Sequence, residues 1–143
     1  MPAKAPPVGY HSVTPNLVVN GAGELIDFMK SAFGARERMR MPAPDGRVAH
    51  AEMEIGDSPV MIADANDMFP ATTGYLHVYV EDSDAMYKKA LAAGARSLSE
   101  PQTMFYGDRA GNLMDKWGNR WTVSTHVEDV SEEELQKRMA AMR

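Results

Sequence analysis

The sequence predicts an α+β fold: two tandem βαβββ modules forming a concave mixed sheet, followed by a C-terminal helix. Three observations predict it. Short stretches alternate apolar and polar residues, as in Leu76, Val78 and Val80 against Tyr75, His77 and Tyr79, which is the period of a strand with one buried face. Longer stretches place apolar residues at helical spacing and stop at a glycine. Finally, Ala32-Phe33-Gly34-Ala35-Arg36 returns about sixty residues later as Ala92-Ala93-Gly94-Ala95-Arg96, the mark of an internal duplication.

Residues 1–9 (MPAKAPPVG) read as a flexible arm, and residues 10–143 as a single domain. In the first module, 10–64, Val13, Pro15, Leu17 and Val19 alternate with Thr14, Asn16 and Val18 as a strand with proline near its start. A helix from Glu24 to Phe33 stops at Gly34. Arg36 to Met41 and Arg47 to Ile55 flank the turn Pro42-Ala43-Pro44-Asp45-Gly46 and form a hairpin, and Gly56-Asp57-Ser58 turns the chain into a last strand, Pro59 to Ala63. The connector, 65–73, has no sustained period.

The second module, 74–126, repeats the plan with a strand at Tyr75 to Val80 and a helix from about Ser83 to Ala93. Asp115, Gly118, Asn119 and Trp121 then describe a strand that stops at a tight turn and restarts, with Asp115 or Asn119 bonding the turn amides. Trp121, Val123 and Thr125 oppose Arg120, Thr122 and Ser124, so this strand is expected to lie between a core and a wet face. A C-terminal helix, 131–142, opens with Ser131 and Glu134 at capping-box spacing, and its Leu135–Met139 stripe suits packing or a dimer edge.

A hydrophobic content of 44% and a charged content of 24% are those of a folded globular chain. The net charge of -5 and the absence of a basic run argue against nucleic acid as a partner. No stretch approaches the roughly 20 apolar residues of a membrane span. Cysteine is absent, which removes thiol chemistry and suits the reducing cytoplasm.

A helix covers one face of each four-stranded sheet, leaving the other as a concave wall. Alternation places Ala49, Ala51, Met53 and Ile55 under the first helix and Val48, His50, Glu52 and Glu54 on the open side. In the second module Tyr75, His77 and Tyr79 take the open side, with Thr122 and Ser124 on the far wall. Aligning Arg47–Gly56 with Arg109–Gly118 puts Asn112 and Met114 at the positions of His50 and Glu52. Such a cup is polar, aromatic and short of charge, a place for a small molecule.

The duplicated unit, with HAEMEIGDSPVMIAD in the first half and GDRAGNLMDKWGNRWTVSTH in the second, resembles the vicinal oxygen chelate superfamily of glyoxalase I, bleomycin-resistance proteins and extradiol dioxygenases. Within it the chain looks most like the PhnB-like branch. The resemblance spans residues 10–140 and implies paired βαβββ modules, a homodimer and a pocket in each cup. Metal-dependent members take ligands from positions that fall here near Thr14, Val60 or Ile62, Tyr75 and Thr122, none of them an ordinary ligand for zinc, iron or manganese. No cofactor is expected. A divalent metal would have to use His50, Glu52 and His77 instead.

The candidate catalytic residues are His50 and Glu52, as a general acid/base pair or, more blandly, as a hydrogen-bonded wall pair. Tyr75, His77, Tyr79, Asn112 and Thr122 are candidate ligand-binding residues. Phe105, Tyr106 and Arg109 would form a lid whose guanidinium clamps a carboxylate or phosphonate, unless Arg109 pairs with Asp108 or Asp115. His11 and His126 are expected at the surface. Two functions follow from the resemblance: a lyase or isomerase moving a proton with His50 or Glu52, or a non-enzymatic protein that sequesters a small molecule. A third, a purely dimerising domain, would need a cup filled by its own side chains.

Overall fold

A computed structural model describes residues 2–142. The chain divides into two compact units, residues 1–74 and 75–143. The first holds β1 (Asn16–Val19), α1 (Ala22–Phe33), β2 (Arg36–Pro42), β3 (Val48–Ile55) and β4 (Ser58–Asp64). The second holds β5 (Tyr75–Tyr79), α2 (Ser83–Ala92), β6 (Arg96–Thr103), β7 (Asp108–Met114), β8 (Arg120–His126) and α3 (Glu132–Ala141). The α+β class and the two βαβββ modules with a C-terminal helix are therefore as expected. Each unit contains one four-stranded mixed sheet, ordered β1-β4-β3-β2 and β5-β8-β7-β6, in which only the β1·β4 and β5·β8 pairs are parallel.

The duplication extends to the irregularities. The β2·β3 register shifts between Glu37 and Met39, and the β6·β7 register shifts between Ser97 and Ser99. One residue is extra at each place, Arg38 in the first unit and Leu98 in the second, a bulge kept in both copies. In the first unit Leu25, Ile26 and Met29 of α1 are fully buried with Met53 and Ile62 of its sheet. In the second, Tyr87 and Ala90 of α2 and Leu113, Trp121 and Val123 of the sheet form the core.

The ends of the helices follow the chemistry of their sequence. Gly34 takes a φ of 63° beyond α1, and the Asp82 carboxylate accepts from the Ala85 amide to start α2. At α1 the start is secured from far along the chain: Asp64 Oδ1 accepts from the Gly21 and Ala22 amides at 2.9 Å each, and its Oδ2 accepts from Val48 N at 2.7 Å. Burial pushes the Asp64 carboxyl up, but these three amides and Arg47 outweigh it and hold the group below its usual range.

Four local expectations change. β1 begins at Asn16, not Val13, which is 85% exposed, since ladder pairing starts only at Asn16. Val48 is buried and Ala49 exposed, the reverse of the alternation, because Met41 pairs with His50 while Pro42 pairs with Val48 and leaves Ala49 as an extra residue. The far face of β8 is less open than the alternation suggests: flanked by β5 and β7, Thr122 and Ser124 are buried, and the exposed residues of that face are Arg120 and His126 at its ends. Finally, Asn112 corresponds to Glu52 and not to His50. Glu52 pairs with Met39 and Met61, and Asn112 pairs with Ser99 and Thr122, at equivalent places in the two ladders. The turn from β7 to β8 is longer than that from β3 to β4, so aligning the turn glycines slips the register by one side-chain repeat.

Candidate functional site

The second unit carries a cavity of about 330 Å³ on the open face of its sheet. That is near the lower end of small-molecule sites, which run from about 300 to 1,000 Å³. Its floor is one row across all four strands. His77 of β5 lies opposite Thr122 of β8, Thr122 opposite Asn112 of β7, and Asn112 opposite Ser99 of β6. All four residues line the cavity.

The row is joined by hydrogen bonds. Thr122 Oγ1 donates to Asn112 Oδ1 at 2.6 Å, and Asn112 Nδ2 donates to Ser99 Oγ at 2.8 Å. The Tyr75 hydroxyl lies 2.9 Å from Thr122 Oγ1. Since the single threonine proton is engaged by Asn112, the phenol is the donor in that bond. Tyr75 and Tyr106 supply aromatic walls, and Glu100 and Gln102 of β6 supply polar ones. Arg120 lies over the Tyr75 ring, 4.9 Å from its centroid.

Beside the cavity stands a second polar cluster. The Tyr79 hydroxyl donates to Asp108 Oδ2 at 2.8 Å, and the His77 and Tyr79 ring centroids are 4.8 Å apart. Asp108, 4% exposed, holds His126 Nδ1 on its other oxygen at 2.8 Å, and His126 Nε2 lies 2.7 Å from Asp129 Oδ1. The bonds from Asp108 and Asp129 raise the His126 pKa. Burial pushes the Asp108 carboxyl up, but its bonds from His126 and Tyr79 outweigh this and hold it low. The same bond to Asp108 raises the Tyr79 phenol.

The rim of the cavity is tied down by polar contacts. Tyr106 stands between Phe105, whose carbonyl accepts from Arg138 Nη1 at 2.9 Å, and Gly107, whose carbonyl accepts from the Val127 and Glu128 amides. Arg138 also pairs with both carboxylate oxygens of Glu128. α3, which presents Arg138, buries none of its residues, and Met139 is 51% exposed. The Leu135–Met139 stripe is therefore not packed into the unit as a core-facing helix would be.

The structure thus brings Tyr75, His77, Asn112, Thr122 and Tyr106 to one cavity. Tyr79 and Phe105 are neighbours of that cavity and not part of its lining. Arg109 faces the other way: its Nε and Nη2 bond both oxygens of Asp84 on α2, at 2.7 and 2.9 Å, instead of Asp108, Asp115 or the rim. His50 and Glu52 lie in the first unit, half-buried on the open face of β3, with no hydrogen bond or ion pair between them. Ser99, Glu100 and Gln102 are cavity residues that the alternation did not single out. The repeat could have found Ser99, which occupies in β6 the place of Met39 in β2.

Among the described residues no three His, Asp or Glu side chains are grouped to hold a metal ion. The positions that the family resemblance assigns to metal ligands fall near Thr14, Val60 or Ile62, Tyr75 and Thr122, and the last two spend their hydroxyls on each other and on Asn112. This donor set does not fit a divalent cation. No helix among the described residues is long and apolar enough to cross a membrane.

Comparison with known proteins agrees with the fold. The chain is 34% identical over 141 residues to the Mycobacterium bovis protein Mb0911c, spanning 91% of this chain and 93% of that one. The crystal structure of TioX from Micromonospora sp. ML1 superposes with a TM-score of 0.71 at 25% identity, over 80% of this chain and 98% of TioX. A PhnB protein from Bacillus cereus shares the fold, with a TM-score of 0.61 at 22% identity over 80% of this chain and 99% of its own. The model of the Glyoxalase/Bleomycin resistance protein/Dioxygenase superfamily matches residues 10–123, and the chain belongs to that superfamily.

Proposed function

We propose that the protein binds a small molecule in the cavity of its second unit and holds it by hydrogen bonds, acting as a binding or sequestering protein. One observation carries this reading: the Tyr75–Thr122–Asn112–Ser99 chain is a continuous, prearranged set of neutral hydrogen-bonding groups along the cavity floor. Such a set is built to orient a ligand. The hydrogen-bonded chain itself holds no carboxylate or imidazole, and the two such groups of the lining, His77 and Glu100, stand outside it.

A second reading, a lyase or isomerase with His50 or Glu52 as base, is favoured by the half-burial of both side chains on the open face of β3. The homodimer that the family resemblance implies, in the cytoplasm that a cysteine-free chain suits, belongs to the proposal in either form. Fragment screening by amide chemical-shift mapping tests it. Binding should perturb Tyr75, His77, Asn112 and Thr122 together and be lost in Asn112→Ala. Perturbations centred on His50 and Glu52 and unaffected by Asn112→Ala would favour the enzyme reading. Light scattering would report the oligomer.

A further inference from the structure

Resting on that reading, we infer that the ligand is an uncharged, planar molecule carrying both a hydrogen-bond donor and an acceptor, such as an aromatic amide, and that carboxylates and phosphonates are rejected. The direction of the chain sets this. With Tyr75 donating to Thr122, Thr122 to Asn112 and Asn112 to Ser99, the Tyr75 oxygen is left to accept. At the other end the Ser99 hydroxyl proton and the second amide proton of Asn112 are left to donate.

With the Asn112 amide turned over, Ser99 donates to Oδ1, Nδ2 to Thr122 and Thr122 to Tyr75, and the two ends exchange. A chain in which each hydroxyl donates once along the row has one donor end and one acceptor end in either orientation. The ends stand two strand spacings apart, about 10 Å, so a ligand of one or two rings reaches both.

Charge points the same way. No lysine or arginine lines the cavity, while the Glu100 carboxylate does. An anion drawn out of water needs a cation or several donors in its place. Arg109, the one arginine of β7, is taken up by both oxygens of Asp84, and Arg120 lies on the face of the Tyr75 ring without lining the cavity. Tyr75 and Tyr106 give flat apolar surface for a planar group.

The test compares three probes of similar shape, 4-hydroxybenzamide, 4-hydroxybenzoate and 4-hydroxyphenylphosphonate, by amide chemical-shift titration of this chain. The phenol of 4-hydroxybenzamide can donate to the Tyr75 oxygen while its carbonyl accepts from Ser99 and Asn112 at the other end. It should shift Tyr75, His77, Asn112 and Thr122, and the two anions should bind there at least tenfold more weakly. Ser99→Ala, which removes a hydroxyl at the edge of the row, should weaken 4-hydroxybenzamide about five- to tenfold, the value of one hydrogen bond, with the amide shifts away from the row unchanged. If either anion binds these residues as tightly as 4-hydroxybenzamide, the ligand class is overturned while cavity binding stands. If none of the three shifts any of these residues, cavity binding fails and the inference with it. Equal 4-hydroxybenzamide affinity in Ser99→Ala would overturn the assignment of the donor end.

Discussion

Replacing Asp115 by alanine should remove a large part of the stability of the second unit. Four donors converge on its carboxylate across the turn from β7 to β8. Oδ1 accepts from the Trp117 and Asn119 amides at 2.9 Å each, and Oδ2 accepts from Asn119 Nδ2 at 3.0 Å and from Trp121 Nε1 at 2.9 Å. Asn119 and Trp121 are both 0% exposed, so water cannot replace the acceptor they would lose. A buried donor left without its partner costs about 1–3 kcal/mol, and each turn amide that re-solvates about 0.5–1.5 kcal/mol. Taken at the lower half of these ranges, because the turn relaxes in part, the expected loss for Asp115→Ala is about 3–5 kcal/mol, against the roughly 5–15 kcal/mol that stabilises a typical domain.

Urea unfolding followed by tryptophan fluorescence measures it. With a slope of roughly 1–3 kcal/mol/M, the midpoint should fall by about 2 M. Asp115→Asn separates the two halves of the carboxylate. Its amide oxygen can still accept from the turn amides, but its NH2 then meets the Asn119 and Trp121 donors, so a loss of about 2–3 kcal/mol is expected. A loss below about 1 kcal/mol in Asp115→Ala, or an unchanged midpoint in Asp115→Asn, would show that the local backbone holds the turn without the carboxylate, and the reasoning would be wrong.

Three further outcomes follow from the same contacts. Trp121→Ala should cost about 3–5 kcal/mol by emptying a fully buried site, and an unchanged melting curve would contradict the face assigned to β8. Arg138→Ala should barely change the melting temperature yet speed hydrogen exchange in α3 and at Phe105 to Gly107, since α3 buries nothing and is joined to the rim through that guanidinium. Unchanged exchange there would mean that other contacts hold the rim. His126 has a raised pKa, so its pairing stabilises fully below its unfolded value of about 6.5 and fades as pH rises through the folded one. Asp108, held low, keeps its contribution until pH falls below the ordinary aspartate range of about 3.9. Stability should therefore peak between about pH 4 and 6.5 and decline above it, and this decline should vanish in His126→Gln.

The large features were legible because they are periodic. Gly34 and Gly94 ended the helices, the alternation in β5 sorted Tyr75 and His77 from Leu76 and Val78, and the repeated Gly-Ala-Arg stretch exposed the duplication. What escaped depends on distance along the chain or on a broken period. Nothing near α1 announces that Asp64, more than forty residues away, caps its start, or that Arg109 belongs to Asp84 and not to the adjacent Asp108. Ser99 and Glu100 sit between the bulge at Leu98 and Pro101, where alternation fails, so the β6 side of the cavity had no strand signal. His126 looked like a surface residue, and half of its side chain is exposed, yet both ring nitrogens are engaged by aspartates brought close by the fold.

The duplication also shows why structural symmetry does not carry over into chemical symmetry. Equivalent rows cross the two sheets in the same register. In the first unit the row is Asn16, Met61, Glu52 and Met39, and in the second His77, Thr122, Asn112 and Ser99. A carboxylate between two thioethers has no neighbouring donor and cannot pass a hydrogen bond along the row. A hydroxyl, an amide and a hydroxyl can, and that row is the floor of the cavity. The two positions with the strongest claim to chemistry in the sequence, His50 and Glu52, thus lie on the copy without a hydrogen-bonded row. Neutral residues with weaker claims, Asn112 and Thr122, form the copy whose row is hydrogen-bonded and lines the cavity. In a duplicated fold, the residue types worth weighing are those whose partners across the ladder can complete a network, whatever their individual reactivity.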